Sequence, residues 1–156
     1  MIQALSSAEN AQEFVKRIPE ALKVVKTYKQ KLLNHEIPVW DLIITKRLSK
    51  ETHAYSQNIS QRIAGKQLLI EGFEVYPGKS VKYVFTDAQN ALPFRRVKPK
   101  ELIDDKTNPD AKKYLLLLYS AASNLLSQFG FYPQSISEYA SGYQTPKIET
   151  LLKKHD

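Results

Sequence analysis

Between Pro38 and Phe85 the spacing of apolar residues changes twice, and that order restricts the fold more than any other feature of the chain. Asp41-Leu42-Ile43-Ile44-Thr45-Lys46-Arg47-Leu48 reads as a strand, and residues Asn58 to Glu71 read as a helix. Val81-Lys82-Tyr83-Val84-Phe85 then alternates apolar and polar, as a half-buried strand should. Gly72 is placed to cap the helix, because a left-handed residue commonly ends one. Pro77-Gly78 signals a turn into the second strand.

Longer helical patterns flank this centre. From about Ser7 to Asn34, Phe14, Ile18, Leu22, Val25, Tyr28 and Leu32 recur every three or four residues, with lysines between them. Ser6 or Ser7 could cap this helix and Pro38 stops its continuation, while Pro19 predicts a kink or a split into two helices. A third helix starts at Asn108 or Pro109 and runs to Phe129, with Gly130 at its end. Its Leu115–Leu118 run is apolar all round, which predicts deep burial against the first helix. Asp87 to Pro93 reads as loop, Pro99 precedes a short helix from Lys100, and Ser141-Gly142-Tyr143-Gln144-Thr145-Pro146 breaks structure. The expected class is α+β (α/β in the broad sense) and helix-rich. The first and third helices would pack together with a small sheet from Asp41–Leu48 and Val81–Phe85, and the competing arrangement is an all-helical bundle with loops in place of the strands.

The chain has 156 residues, the size of a single domain that can bury a core. It contains no cysteine, so disulfides, thiolate catalysis and sulfur-ligated metal sites are excluded, which fits a cytoplasmic protein. No apolar run approaches a membrane span, and Met1-Ile2-Gln3-Ala4-Leu5 lacks the form of a secretory signal. The formal charge is +7, and its lysines and arginines recur in clusters along the chain. Clusters of this kind favour polyanions, since each neutralised phosphate releases condensed counterions. A solvated surface is the plainer reading.

Gly78-Lys79-Ser80 lacks the form of a phosphate loop: five residues before Gly78 stands Phe73, and the triplet precedes a strand. His35, His53 and His155 are far apart with no helical pairing to a carboxylate, so no metal site is expected. Asp104-Asp105 is the only adjacent acidic pair, and neighbours point to different faces. The positive case rests on Lys46 to Lys66. Lys46, Arg47 and Lys50 end a strand, and Tyr55-Ser56-Gln57-Asn58 lead into a helix carrying Arg62 and Lys66. Small polar side chains, free amides at a helix start and nearby cations are natural phosphate contacts. Without further support, an ordinary exposed turn is the better account of them.

The run Glu36-Ile37-Pro38 through Leu42-Ile43-Ile44, Leu48-Ser49, Tyr55, Gly72 and Tyr76-Pro77-Gly78 to Tyr83-Val84 resembles the thumb region of archaeal-type family B DNA polymerases. Pro109-Asp110-Ala111 with Tyr114 is similar to that family's Asp-Ala-x-x-Tyr helix start, and Leu125-Leu126 to Phe129-Gly130-Phe131 to the end of the same helix. The resemblance spans roughly Ala8 to Tyr132. It implies a thumb-like domain over residues 1–140 that grips primer–template duplex DNA as part of a DNA polymerase. The implied contacts are Lys46, Arg47, Lys50, Tyr55, Asn58, Arg62 and Lys66, with Arg95, Arg96 and Lys98 as a second group. Ser56 and Ile59-Ser60-Gln61 depart from the family's loop after Tyr55.

Phe131-Tyr132-Pro133 echoes a palm motif, but Ser127 stands where that motif carries a metal-binding Asp, and the Asp-Thr-Asp motif is missing from the chain. The resemblance therefore implies no catalytic residue and no cofactor here, with Mg²⁺ and nucleotidyl transfer belonging to a partner palm on a polymerase catalytic chain or domain. A non-catalytic protein-interaction module or accessory subunit is the alternative. In the tail, 141–156, Thr145, Ile148, Leu151 and Leu152 resemble a sliding-clamp peptide, with Ile148, Leu151 and Leu152 on one face of a helical turn. That turn packing on the domain's own core is the competing reading.

Overall fold

The computed structural model describes residues 11–49, 59–130 and 132–141. They form a helix-rich α+β fold with one small antiparallel sheet, in two compact units. One unit comprises Met1–Glu36 with Leu115–Asp156, and the other Ile37–Tyr114.

In the first unit, helix α1 (Ala11–Leu33) turns Ile18, Ala21, Leu22 and Val25 into a core shared with α3 (Ala111–Leu126) and α4 (Pro133–Ala140). Helix α3 contributes Tyr119, Ala122 and Leu126, and α4 contributes Ile136 and Ala140. The expected packing of the first and third helical segments is therefore present. Helix α1 passes through Pro19 without dividing, so the two-helix reading fails. The absent proline N–H removes one bond of a long ladder, and the packed stripe on either side keeps the element whole. Tyr28, expected in the core, sits on the flank of the stripe and is exposed, with the Lys31 ammonium 5.5 Å from its ring centroid. Lys29 lies on the stripe itself but sends its Nζ to the end of α4, donating to the Ala140 carbonyl (3.5 Å) and the Ser141 hydroxyl (3.1 Å). A cation there complements the helix dipole.

Leu115–Leu118 is not buried all round. Leu115 and Leu118 pack against the core, whereas Leu116 is 52% exposed and Leu117 36% exposed. Successive residues turn through about 100°, so a helix with one packed side cannot bury four in a row. The end of α3 matches its sequence signal: a 3-10 turn, Ser127–Phe129, closes on Gly130 at φ 82°. Helix α4 is too short to announce itself by period. It takes Pro133 as its first residue, where no N–H is needed.

In the second unit, strands β1 (Ile44–Arg47), β2 (Ser80–Phe85) and β3 (Val97–Pro99) form a sheet in the order β1-β2-β3. The strand expected from Asp41 starts at Ile44, because Val39–Leu42 winds as a 3-10 turn after Pro38, with the Asp41 N–H donating to the Pro38 carbonyl. β3 is an addition to the expected sheet, three residues long and ending in a proline. Helix α2 (Ser60–Ile70) covers one side of the sheet with Ile63, Ala64 and Leu68, and the Gln67 side chain donates to the Val97 carbonyl at 3.0 Å. Gly72, at φ 86°, ends the helix as its sequence position implies. Its N–H reaches the Leu69 carbonyl and that of Phe73 reaches the Leu68 carbonyl. Gly78, at φ 89°, sits third in the Tyr76–Lys79 turn, where a positive φ is required after Pro77.

The start of α3 is locked onto this sheet. The Tyr114 hydroxyl accepts a hydrogen bond from the Phe85 N–H (2.9 Å) and donates to the Leu42 carbonyl (2.7 Å). Asp110 donates its N–H to the Phe85 carbonyl (2.8 Å). Its carboxylate accepts from the Ala88 N–H (2.9 Å) and, as the helix cap, from the Lys113 N–H (3.0 Å). The Phe85 ring meets Tyr83 and Tyr114 edge-on, at 5.6 and 6.0 Å.

This geometry makes the Tyr114 hydroxyl a point of test. Y114F keeps the ring but leaves a buried N–H and a carbonyl unpaired, so urea unfolding should show a loss of about 1–3 kcal/mol. Burial, helped by the nearby Tyr83 and Asp110, pushes the Tyr114 hydroxyl from 10.0 up to about 12. The fold thus favours its protonated form, and that stabilisation is complete below pH 10 and drains away as pH rises towards 12. The alkaline fall in unfolding midpoint should be shallower in Y114F, though not abolished, since burial also raises Tyr83 and Tyr119. A second expectation concerns Gly65 inside α2, where an added Cβ would meet Leu48 and Val75 at 3.6 Å, an ordinary contact. G65A should raise stability by about 0.5–1 kcal/mol in the same assay, through helix propensity.

Candidate nucleic-acid interface

Strand register assigns every sheet residue to a face. Ile44 pairs with Tyr83, Thr45 with Lys82, Lys46 with Val81 and Arg47 with Ser80 on one side of β2. On the other side, Tyr83 pairs with Pro99, Val84 with Lys98 and Phe85 with Val97. Paired residues share a face and alternate along each strand. Val81, Tyr83, Phe85, Val97 and Pro99 thus face α2 and are buried. A hydrogen bond between the Tyr83 and Ser60 side chains places the start of α2 on this side.

The opposite face carries Thr45, Arg47, Ser80 and Lys82, all exposed, on its β1 side, and the fully buried Val84 with the half-buried Lys98 on its β3 side, where the face is covered. Three cations and two small hydroxyls on a backbone braced by two ladders make a surface that can hold phosphates without reading bases. Lys98 is ion-paired with Asp104 at 3.5 Å. The Asp104 carboxyl is held below its usual range, first by the Thr107 hydroxyl and then by the Lys106 N–H and the Lys98 charge. Arg47 and Lys82 are exposed.

The predicted cluster from Lys46 to Lys66 is divided by this geometry. Arg47 stands on the open face. Lys46, one residue away, falls on the helix-covered side, exposed at the edge strand. Arg62 and Lys66, four residues apart, ride on α2, with Lys66 exposed and Arg62 half-buried. Lys50, Tyr55 and Asn58 lie outside the described residues, as do Thr145, Ile148, Leu151 and Leu152. In the second group, Arg96 turns inward on its own loop: Nε donates to the Asn90 carbonyl (2.7 Å) and an Nη to the Ala91 carbonyl (3.4 Å). Arg95 is exposed. Lys82 joins the face without belonging to either predicted group. Its signal is nevertheless in the sequence, since a lysine between Val81 and Tyr83 must face away from their core. Lys79 is held locally, donating to the Glu74 carbonyl with its Nζ 5.7 Å from the Tyr76 ring centroid.

Among the described residues no three His, Asp or Glu side chains converge to hold a metal ion, and no helix is long and apolar enough to cross a membrane. These residues define a small helix-and-sheet fold with basic residues on one sheet face. The chain belongs to DNA polymerase family B: the family's model matches residues 1–129. Similar proteins include the DNA polymerase of Pyrococcus horikoshii, 26% identical over 115 residues, which cover 73% of this chain and 9% of that protein. The DNA polymerase of Pyrococcus glycovorans is 27% identical over 115 residues, 15% of its own chain. The fold is shared with the family B DNA polymerase from the hyperthermophilic archaeon Pyrobaculum calidifontis, at a TM-score of 0.60 and 24% identity, covering 78% of this chain and 16% of that one. The chain thus matches only a small fraction of the length of each.

Proposed function

We propose that this chain is the thumb of a family B DNA polymerase, a module that grips primer–template duplex DNA through its phosphates and leaves the chemistry to a catalytic partner. The observation that carries the reading is the exposed β1 side of this sheet face, where Arg47 and Lys82 stand with Thr45 and Ser80, the part-exposed Lys98 lying on β3 beyond them. Cations on neighbouring strands match a rail of phosphates, and hydroxyls supply short neutral donors between them. Such contacts fix the duplex in register and ignore its sequence. The metal-holding carboxylates that nucleotidyl transfer requires, and the Mg²⁺ they bind, belong in this reading to a palm on the partner chain or domain. The tail residues Thr145, Ile148, Leu151 and Leu152 are proposed as a sliding-clamp contact. Loss of clamp association on replacing Ile148, Leu151 and Leu152 by Ala, in a protein that stays folded, is the expected result.

Anisotropy titration of a labelled duplex tests the grip. Affinity should fall steeply with salt and hardly change with base sequence. Each phosphate contact contributes about 0.9 to the slope of log K against log salt, so R47Q/K82Q should flatten that slope by about two. K23Q/K26Q, on the exposed side of α1, serves as the comparison. Equal losses in both double variants would mean a diffuse basic surface instead of a site. Wild-type binding that is salt-independent and confined to one sequence would refute the phosphate grip.

A further inference from the structure

The segment joining β2 to β3 is built more firmly than a connection requires. The Thr86 and Asp87 N–H groups both donate to the Arg96 carbonyl (3.0 and 3.3 Å), and the Thr86 hydroxyl donates to the Arg95 carbonyl (2.8 Å). Asn90 reaches back to the Asp87 carboxylate with its amide (2.9 Å) while its side-chain oxygen accepts from the Leu92 N–H (2.8 Å). The Arg96 guanidinium grips the Asn90 and Ala91 carbonyls from the other side. A 3-10 turn, Pro93–Arg95, closes the tip. This ordered frame holds two large apolar side chains out in water, with Leu92 56% and Phe94 49% exposed.

Cations around the tip are unequally engaged. Arg96 is committed to the loop and Lys98 to Asp104. Among the described residues the exposed Arg95 side chain makes no hydrogen bond or ion pair, and it follows Phe94 in the 3-10 turn. A half-exposed ring and an exposed guanidinium leaving one tight turn in different directions match a ligand with two separated parts, an unpaired base and the phosphate joined to it. In duplex DNA the base faces are covered by their neighbours, so a phenyl ring stacks there only by prising a step apart, whereas a single strand offers open faces. A ring without donors or acceptors stacks on any base, and a frame already ordered loses little freedom on binding.

We propose that Phe94 and Arg95 form a site for single-stranded DNA, Phe94 stacking on an unpaired base and Arg95 contacting its phosphate. The proposal rests on the DNA-binding reading above and adds to it the residues that would hold the unpaired strand of a primer–template. It also divides the basic residues around β3 by role: Arg96 builds the tip and Arg95 uses it.

The test compares a blunt duplex with the same duplex bearing a single-stranded extension, by anisotropy with the full chain. Wild type should bind the extended substrate more tightly. F94A should bind the extended substrate about tenfold more weakly, the usual cost of one lost base stack, and bind the blunt duplex unchanged. F94W should retain the preference, and in a W40F background its single indole should be quenched by the extended substrate but not by the blunt one. If wild type prefers neither substrate, or F94A behaves as wild type on both while F94W shows no quenching, the single-strand site is wrong and the apolar tip belongs to a protein contact. If wild type binds neither DNA, the phosphate grip fails along with it.

Discussion

The hydroxyl of Tyr114 joins three parts of its unit that nothing in the local chain would bring together. It accepts from the last residue of β2 and donates to the turn before β1, from the first turn of α3. A buried hydroxyl with both partners in place stabilises, whereas the same partners left alone each carry a desolvation cost. Asp110 acts on the same spot, capping α3 and tying it to the residues after β2. The pair is the Asp-Ala-x-x-Tyr element of the sequence, and its role is architectural. It ties the end of β2 to the start of α3, while strand pairing sets the register from which the basic face follows.

That register matters more than the number of basic residues. Lys46 and Arg47 are neighbours in sequence, yet strand geometry sends them to opposite sides of the sheet. Lys82 and Lys98, from strands separated by a loop and a turn, come to share the side of Arg47. Charge density along the chain is therefore a poor guide to a surface, because phosphates meet a face and not a segment. Val84 lies on the same face and is fully buried, so the face is covered around it while Arg47 and Lys82 on its β1 side stay exposed.

Membership in DNA polymerase family B places the chain among much longer proteins, of which it matches a small share. A module of this size can hold a polyanion without performing any reaction, because phosphate contacts need only cations and donors at suitable spacing. Nucleotidyl transfer needs more, namely carboxylates that converge on metal ions.

The sequence by itself determined the elements whose signals are local. The apolar stripe of α1, the left-handed Gly72 and the Pro77-Gly78 turn needed no partner to be legible, because helical period and backbone sterics act within a few residues. The outward Lys82 between Val81 and Tyr83 was equally local, whereas the expected alternation stops at Val84, which is buried on the same face as Lys82. The tertiary structure decided the rest. It left Leu116, Leu117 and Tyr28 in water, since only contact with a second element says which apolar residues are covered. It made a strand of Val97–Pro99, too short to have a period, because β2 offered its free edge. It set Arg47 and Lys82 on one open face, left Arg95 in solvent and folded Arg96 into the frame of its own loop. Pairing across strands and the closing of a loop onto its own carbonyls join residues far apart in the chain, and no local pattern of charge encodes them.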